Sequence, residues 1–182
     1  LAEEVNHLNE VLAQWIKTTQ GVVNLHIESF SLNDVLELIS RSGATFAMKG
    51  ITLEVQSTDV IVKADKALTF FMLNTLVDNA RKFTPEGGRV VVDARLYDGY
   101  VELSVTDNGV GMSASDISHI LCEKVYDASA IGGDLPPEQR RNKGGGFGLL
   151  NCKGIIEKYR KTDSLFDVCR LGVESRVGEG SR

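Results

Sequence analysis

The order of apolar patterns along this chain predicts an α/β fold, with helices and short strands interleaved. Three observations support that expectation. Val101 to Thr106 alternates apolar and polar residues with the period of a half-buried strand. Leu73, Leu76, Val77 and Ala80 recur at helical spacing within a stretch running from Lys66 to about Phe83. Between Arg89–Leu96 and Tyr100–Thr106 stands Tyr97-Asp98-Gly99, a strong hairpin signal.

The 182 residues suffice for one domain with a real core plus an appendage. Apolar content of 42% and charged content of 25% are ordinary for a soluble globular protein. A net charge of −5, with no basic block, argues against general nucleic-acid binding. Cys122, Cys152 and Cys169 are widely spaced and form no Cys-x-x-Cys pair, so they read as reduced thiols rather than a disulfide frame or zinc site. No stretch is long and apolar enough to cross a bilayer. The expectation is a cytoplasmic piece of a longer protein, whose membrane anchor, if it has one, lies outside this sequence.

Taken in order, residues 1 to about 20 read as a helix in which Leu1, Leu8 and Trp15 repeat every seven, with Val5 and Leu12 in step. So short a helix needs a partner for its seam, from upstream sequence or a second subunit. Gly21 ends it, and Val22 to Ile27 reads as a short strand or extended linker. Ser31 and Asp34 resemble a capping box ahead of a helix carrying Val35, Leu36, Leu38 and Ile39. Ile51–Val55 and Val60–Val62 are strand candidates around the turn-like Ser57-Thr58-Asp59. Asp65 is a cap for the long helix, which Pro85 and Gly87-Gly88 close. A short helix at about Ser115–Leu121 follows the hairpin. The segment from there to residue 143 is irregular, with Gly132-Gly133, Pro136-Pro137 and a basic cluster of Arg140, Arg141 and Lys143. Such a segment inside a compact domain is usually functional. A helix from Phe147 to about Arg160 and a last strand from Leu165 to Ser175 complete the pattern.

Three stretches carry chemistry. On the long helix, Asn79 sits close to the apolar stripe, where an amide needs a bonding partner, and its oxygen suits a hard cation such as Mg²⁺. Lys82, one turn beyond Asp78, reaches a phosphate from the same side. Read alone, both are ordinary helix-tail residues. Asp107-Asn108-Gly109-Val110-Gly111-Met112 ends the strand at an acid and turns through two glycines, which let a ligand approach the backbone closely. Read alone, it is a plain turn. Lys143-Gly144-Gly145-Gly146-Phe147-Gly148-Leu149-Leu150 opens a helix, whose exposed N–H groups favour anions. It fits neither the P-loop nor the Rossmann pattern, and alone it is a flexible hinge.

In this order and at these distances, the three stretches resemble the ATP-binding domain of sensor histidine kinases, in the GHKL ATPase superfamily that includes gyrase, Hsp90 and MutL. Asp78-Asn79-Ala80-Arg81-Lys82-Phe83-Thr84-Pro85 matches the family's N box. The run from Asp107 through Gly109 and Gly111 matches its G1 box, and Gly144, Gly146 and Gly148 with Leu149 match its G2 box. The resemblance covers roughly residues 30 to 182 and implies a two-layer sandwich of a mixed sheet and helices, with an ATP lid over 113–143. It implies ATP and Mg²⁺ as ligands. Asn79 would hold the metal, Lys82 would contact phosphate, and Phe83 would border the pocket. Asp107 would accept the adenine amine, with Gly109 and Gly111 giving room at the base. Gly144, Gly146 and Gly148 would let the lid close, with Lys143 or its basic neighbours on the γ-phosphate.

By the same resemblance, residues 1–22 are the second helix of a dimerisation and phosphoacceptor hairpin, and 23–182 the catalytic domain, ending before the family's final strand. The implied partners are a second copy of the chain and a response-regulator receiver domain. None of His7, His26 and His119 has the acceptor's setting, so the acceptor His is expected upstream of Leu1. Thr75 stands where the family usually has Asn or His, and the lid's aromatic box is not evident. Two alternatives stay open: a nucleotide-gated binding module with little or no transfer, and a Ser/Thr kinase of the same superfamily.

Overall fold

The computed structural model describes residues 25–122 and 146–182. They fall into two compact units, one of residues 25–121 with 172–182, the other containing 122 and 146–171. The expected N-terminal helix and its seam, the basic cluster at 140–143, and Lys143 and Gly144 lie outside the described residues.

In the first unit, strand β1 (Glu28–Ser31) leads directly into helix α1 (Leu32–Ser40). Of the stretch expected to be extended at 22–27, residues 25–27 are described and form no strand; pairing begins at Glu28. Leu32, Val35, Leu36 and Ile39 are all buried, at the spacing that lines one face of a helix. Each such side chain stabilises the fold by about 1.5–3 kcal/mol. Ser31 occupies the N-cap position but its side chain makes no cap hydrogen bond, so the expected capping box does not form. Asp34 instead pairs with Lys66, 2.8 Å away.

A six-residue helix, α2 (Gly43–Met48), follows; it is too short and too weakly patterned to be read from sequence. It buries Phe46 and ends in a Schellman arrangement, with Ile51 N donating to Phe46 O and Gly50 N to Ala47 O. Strands β2 (Thr52–Val55) and β3 (Ile61–Ala64) come next and part company. β3 pairs antiparallel with β1, whereas β2 joins the main sheet.

Helix α3 (Lys66–Phe83) has the predicted bounds. Asp65 caps it, with Oδ1 accepting from Leu68 N at 3.0 Å and Oδ2 from His26 N at 2.9 Å. Strands β4 (Arg89–Tyr97) and β5 (Tyr100–Asp107) form the expected hairpin, closed by the Tyr97–Tyr100 stack. Helix α4 (Ala114–Cys122) follows the turn after β5. The last two strands are short, β6 (Ser175–Arg176) and β7 (Gly180–Ser181). The main sheet runs β2-β4-β5-β7-β6; β2 and β4 are parallel and the other pairs antiparallel, so the sheet is mixed. Helices α1, α2 and α3 pack on it, with Val90, Val92 and Val105 buried beneath them.

In the second unit, helix α5 (Gly146–Thr162) carries buried Cys152, Ile155 and Tyr159. The strand expected over 165–175 is absent: a 3₁₀ turn spans Ser164–Phe166, and pairing resumes only at Ser175. Asp163 accounts for the difference, since its Oδ1 accepts from Leu165 N at 2.8 Å and caps the turn. That turn drives Phe166 edge-on against Tyr159 and leaves Leu165 and Val168 exposed.

Candidate functional site

The C-terminal end of α3 and the turn after β5 meet through backbone. Val110 N donates to the Phe83 carbonyl at 3.2 Å, so the helix end and the Asp107 turn are joined at one peptide. The C-terminal segment joins from the other side, where Gly178 N donates to Val110 O at 2.8 Å. Gly109 fits between the first two, since a Cβ there would lie 2.5 Å from Phe83 O and 2.8 Å from Asp107 Oδ1. Gly111 (φ +67°) and Gly180 (φ +97°) close the clasp. A Cβ at either would overlap a carbonyl oxygen, that of Arg176 in the first case and Asp107 in the second.

Asn79 is half-buried on α3, and its amide makes no hydrogen bond to the described residues. One turn earlier the Thr75 hydroxyl donates to Phe71 O at 2.8 Å, so its proton is committed to the helix. Lys82 pairs with Asp78 at 3.1 Å, and Arg81 shares the same carboxylate at 2.7 Å. Burial works to raise the Asp78 pKa, but the hydrogen bonds from Arg81 and Lys82 outweigh it and hold the group below the usual carboxylate range. The last carbonyls of α3 are capped from outside: Lys49 Nζ donates to Arg81 O at 2.6 Å and to Lys82 O at 3.0 Å. Phe83 is 55% exposed, while Thr84 behind it is fully buried, with a hydroxyl that has no partner among the described residues.

Asp107 is half-buried at the end of β5. Its Oδ1 accepts from Gly109 N at 2.8 Å. Burial pushes its pKa up, against the opposing pull of N–H groups from Gly109 and Ser181. A half-buried carboxylate at a strand end can accept a hydrogen bond from a neutral amine. A cleft of about 600 Å³ opens beside it, walled by Thr106, Asp107, Ile117 and much of 173–182. No residue of α3 lines that cleft. Of the predicted site residues, Asp107, Gly109, Gly111 and Phe83 are brought together directly, and Asn79 and Lys82 lie on the turn of α3 leading to Phe83. Gly146, Gly148 and Leu149 fall in the first turn of α5, in the other unit.

Lys49 and Ser175 carry no local sequence signal, since their roles arise from contacts across long chain separations. For Gly180 the Gly178-x-Gly180-Ser181 pattern was a usable one.

Among the described residues, no group of three or more His, Cys, Asp or Glu side chains can hold a metal ion. The half-buried Asn79 amide, which has no hydrogen bond to the described residues, does fit a metal carried in by phosphates, which needs only one or two protein oxygens.

Residues 64–182 match the family model described as histidine kinase-, DNA gyrase B-, and HSP90-like ATPase. Histidine protein kinase DivJ of Caulobacter vibrioides is 30% identical over 191 residues, covering 99% of this chain and 29% of that protein. The chain thus spans under a third of DivJ's length. The catalytic domain of histidine kinase ThkA superposes with a TM-score of 0.60 at 22% identity, covering 86% of this chain and 90% of the domain. Full-length ShkA, solved in complex with AMPPNP, gives a TM-score of 0.66 at 22% identity, covering 98% of this chain and 35% of ShkA. Both structures share the fold. With its N-box and G1-box residues inside the matched region and joined at the Phe83–Val110 peptide, this chain belongs to the histidine kinase-, DNA gyrase B-, and HSP90-like ATPase family.

Proposed function

We propose that this chain is the ATP-binding catalytic region of a two-component sensor histidine kinase. It would pass the γ-phosphate of ATP to a His outside these residues, for relay to a receiver-domain Asp. The observation that supports this best is the half-buried Asp107 carboxylate, raised in pKa and set where three backbone segments meet. The names of DivJ and ThkA agree with it.

Phosphoryl transfer asks a protein mainly for positioning and charge neutralisation. In this reading Asp107 accepts the adenine amine and so selects the base. Phe83 borders the pocket, and Lys82 turns from Asp78 toward a phosphate oxygen. Asn79 would hold Mg²⁺ through its amide oxygen, and the metal would supply charge neutralisation at the phosphates. Lys143, Gly144, Gly146, Gly148 and Leu149 belong to the lid and its hinge. Residues 1–22 form the dimerisation helix and 23–182 the catalytic domain, with a second copy and a receiver domain as partners. The committed Thr75 proton favours one further reading, a nucleotide-gated module with little transfer.

Calorimetric titration with an ATP analogue, with and without Mg²⁺, tests the site. Adenine-selective, magnesium-sensitive binding supports it, and phosphohistidine in a longer chain carrying the upstream helix supports the kinase. Binding without phosphohistidine supports the gated module, and no binding at millimolar nucleotide rejects both.

A further inference from the structure

Ser175 Oγ stands where three chain segments meet. It accepts from Met112 N at 2.8 Å, donates to Gly180 O at 2.8 Å and lies 2.7 Å from Ser181 Oγ. A serine hydroxyl has one proton and two lone pairs. With its proton on Gly180 O, the Ser181 hydroxyl must donate back to Ser175, and every bond the oxygen can make is used. Ser175, Ser181 and Asp107 also lie side by side across β6, β7 and β5.

Apart from the Asp107 carboxylate, which accepts from the Ser181 N–H, the other ties between the 107–112 turn and the C-terminal segment are made by backbone. Gly178 N bonds Val110 O, Gly111 packs on the Arg176 carbonyl and Gly180 on that of Asp107. These contacts bring the two turns close. The Ser175 hydroxyl is the side-chain tie at the far end of the turn, at Met112 N, while the Asp107 carboxylate, accepting from the Ser181 N–H, is the tie at its start. Its bond to Met112 N, beside Gly111, holds the far end of the turn that Asp107 begins.

We propose that Ser175 is a positioning residue for base recognition, holding the 107–112 turn against the 176–181 turn so that the Asp107 carboxylate keeps its aim. The proposal rests on the nucleotide-site reading above. Without the hydroxyl, Met112 N loses its partner, the turn gains freedom, and Asp107 recovers water. The damage falls on the base and spares the phosphate end, because α3 meets the turn at Phe83 and not through Ser175.

The test uses the full 182-residue chain, with adenosine and Mg²⁺-tripolyphosphate as separate probes and amide exchange at Met112 as a readout independent of both. Ser175→Ala is expected to weaken adenosine about tenfold, leave tripolyphosphate within about twofold and speed Met112 exchange about tenfold. Ser175→Thr, which keeps the hydroxyl, should restore all three. If Ser175→Ala does not fold, Ser175→Cys carries the same comparison at similar volume. Unchanged adenosine affinity in the variant overturns the positioning role alone. Equal loss of both probes also overturns it, since that marks general damage. A wild-type chain that binds no adenosine overturns the base-recognition reading itself.

Discussion

Replacing Asp107 by Asn should separate folding from ligand recognition. Asn keeps one carbonyl oxygen, so the 2.8 Å bond from Gly109 N survives. It removes the charge that burial disfavours and that has raised the Asp107 pKa. An acid whose pKa is raised on folding contributes stability that is full below its unfolded value and lost as pH rises through the folded value. Above that folded value the wild-type carboxylate is ionised and that stability is gone, whereas the amide never ionises. The ligand-free variant should therefore melt at the same temperature as wild type or slightly higher.

Adenosine affinity should move the other way, because an amide NH₂ would face the amine donor and a charge-assisted bond would be lost. Such a bond contributes about 1.5–3 kcal/mol, or roughly 10–150-fold in Kd. In the wild type, affinity should rise as pH increases through the raised Asp107 pKa, and that rise should vanish in Asp107→Asn. Calorimetry with adenosine from about pH 3 to about pH 8, which spans and exceeds the carboxylate range, paired with thermal melts, checks both halves. An adenosine affinity unchanged by the substitution would refute base recognition by Asp107. A melting temperature several degrees lower would refute the desolvation argument.

Other perturbations probe the rest of the site. Asn79→Ala should lower ATP affinity about tenfold in Mg²⁺ while leaving magnesium-free affinity and melting temperature unchanged; equal losses with and without the metal would remove Asn79 from its role. Gly111→Ala combines left-handed strain with overlap on the Arg176 carbonyl and should destabilise by about 2–5 kcal/mol, read by denaturant unfolding. Lys49→Met keeps the aliphatic stem but uncaps Arg81 O and Lys82 O. It should cost about 1 kcal/mol of stability, and no change would show that water caps the helix equally well.

What could be read from the chain beforehand divides by range. Helix α3 was legible to the residue because its cap, its stripe and its stop are all local: Asp65, the Leu73–Ala80 spacing, and Pro85. The β4–β5 hairpin was legible for the same reason, through Asp98-Gly99. The Ser31–Asp34 box failed because Asp34 had a tertiary partner in Lys66, which no local rule foresees. The strand expected at 165–175 failed because Asp163 imposed a tight turn on residues whose apolar content read as extended. Asp107 and its glycines were legible as a turn, while the segments clasping that turn, at Phe83 and at 175–180, were visible only in three dimensions.

The clasp around Asp107 also sets a clock. Met112 and Ser175 lie 63 positions apart, so the turn is written long before the residues that brace it. At about 5–20 residues per second, a ribosome takes roughly 3–13 s to cover that separation. During that interval Asp107 is already present but Gly178 and Gly180 are not, and a carboxylate that folding will desolvate stays hydrated. Closing so long a loop is also entropically unfavourable until many other contacts exist. The Asp107 turn is therefore not braced until the C-terminal segment has been made, and a chain cut short after β5 would carry the turn without the segments that brace it.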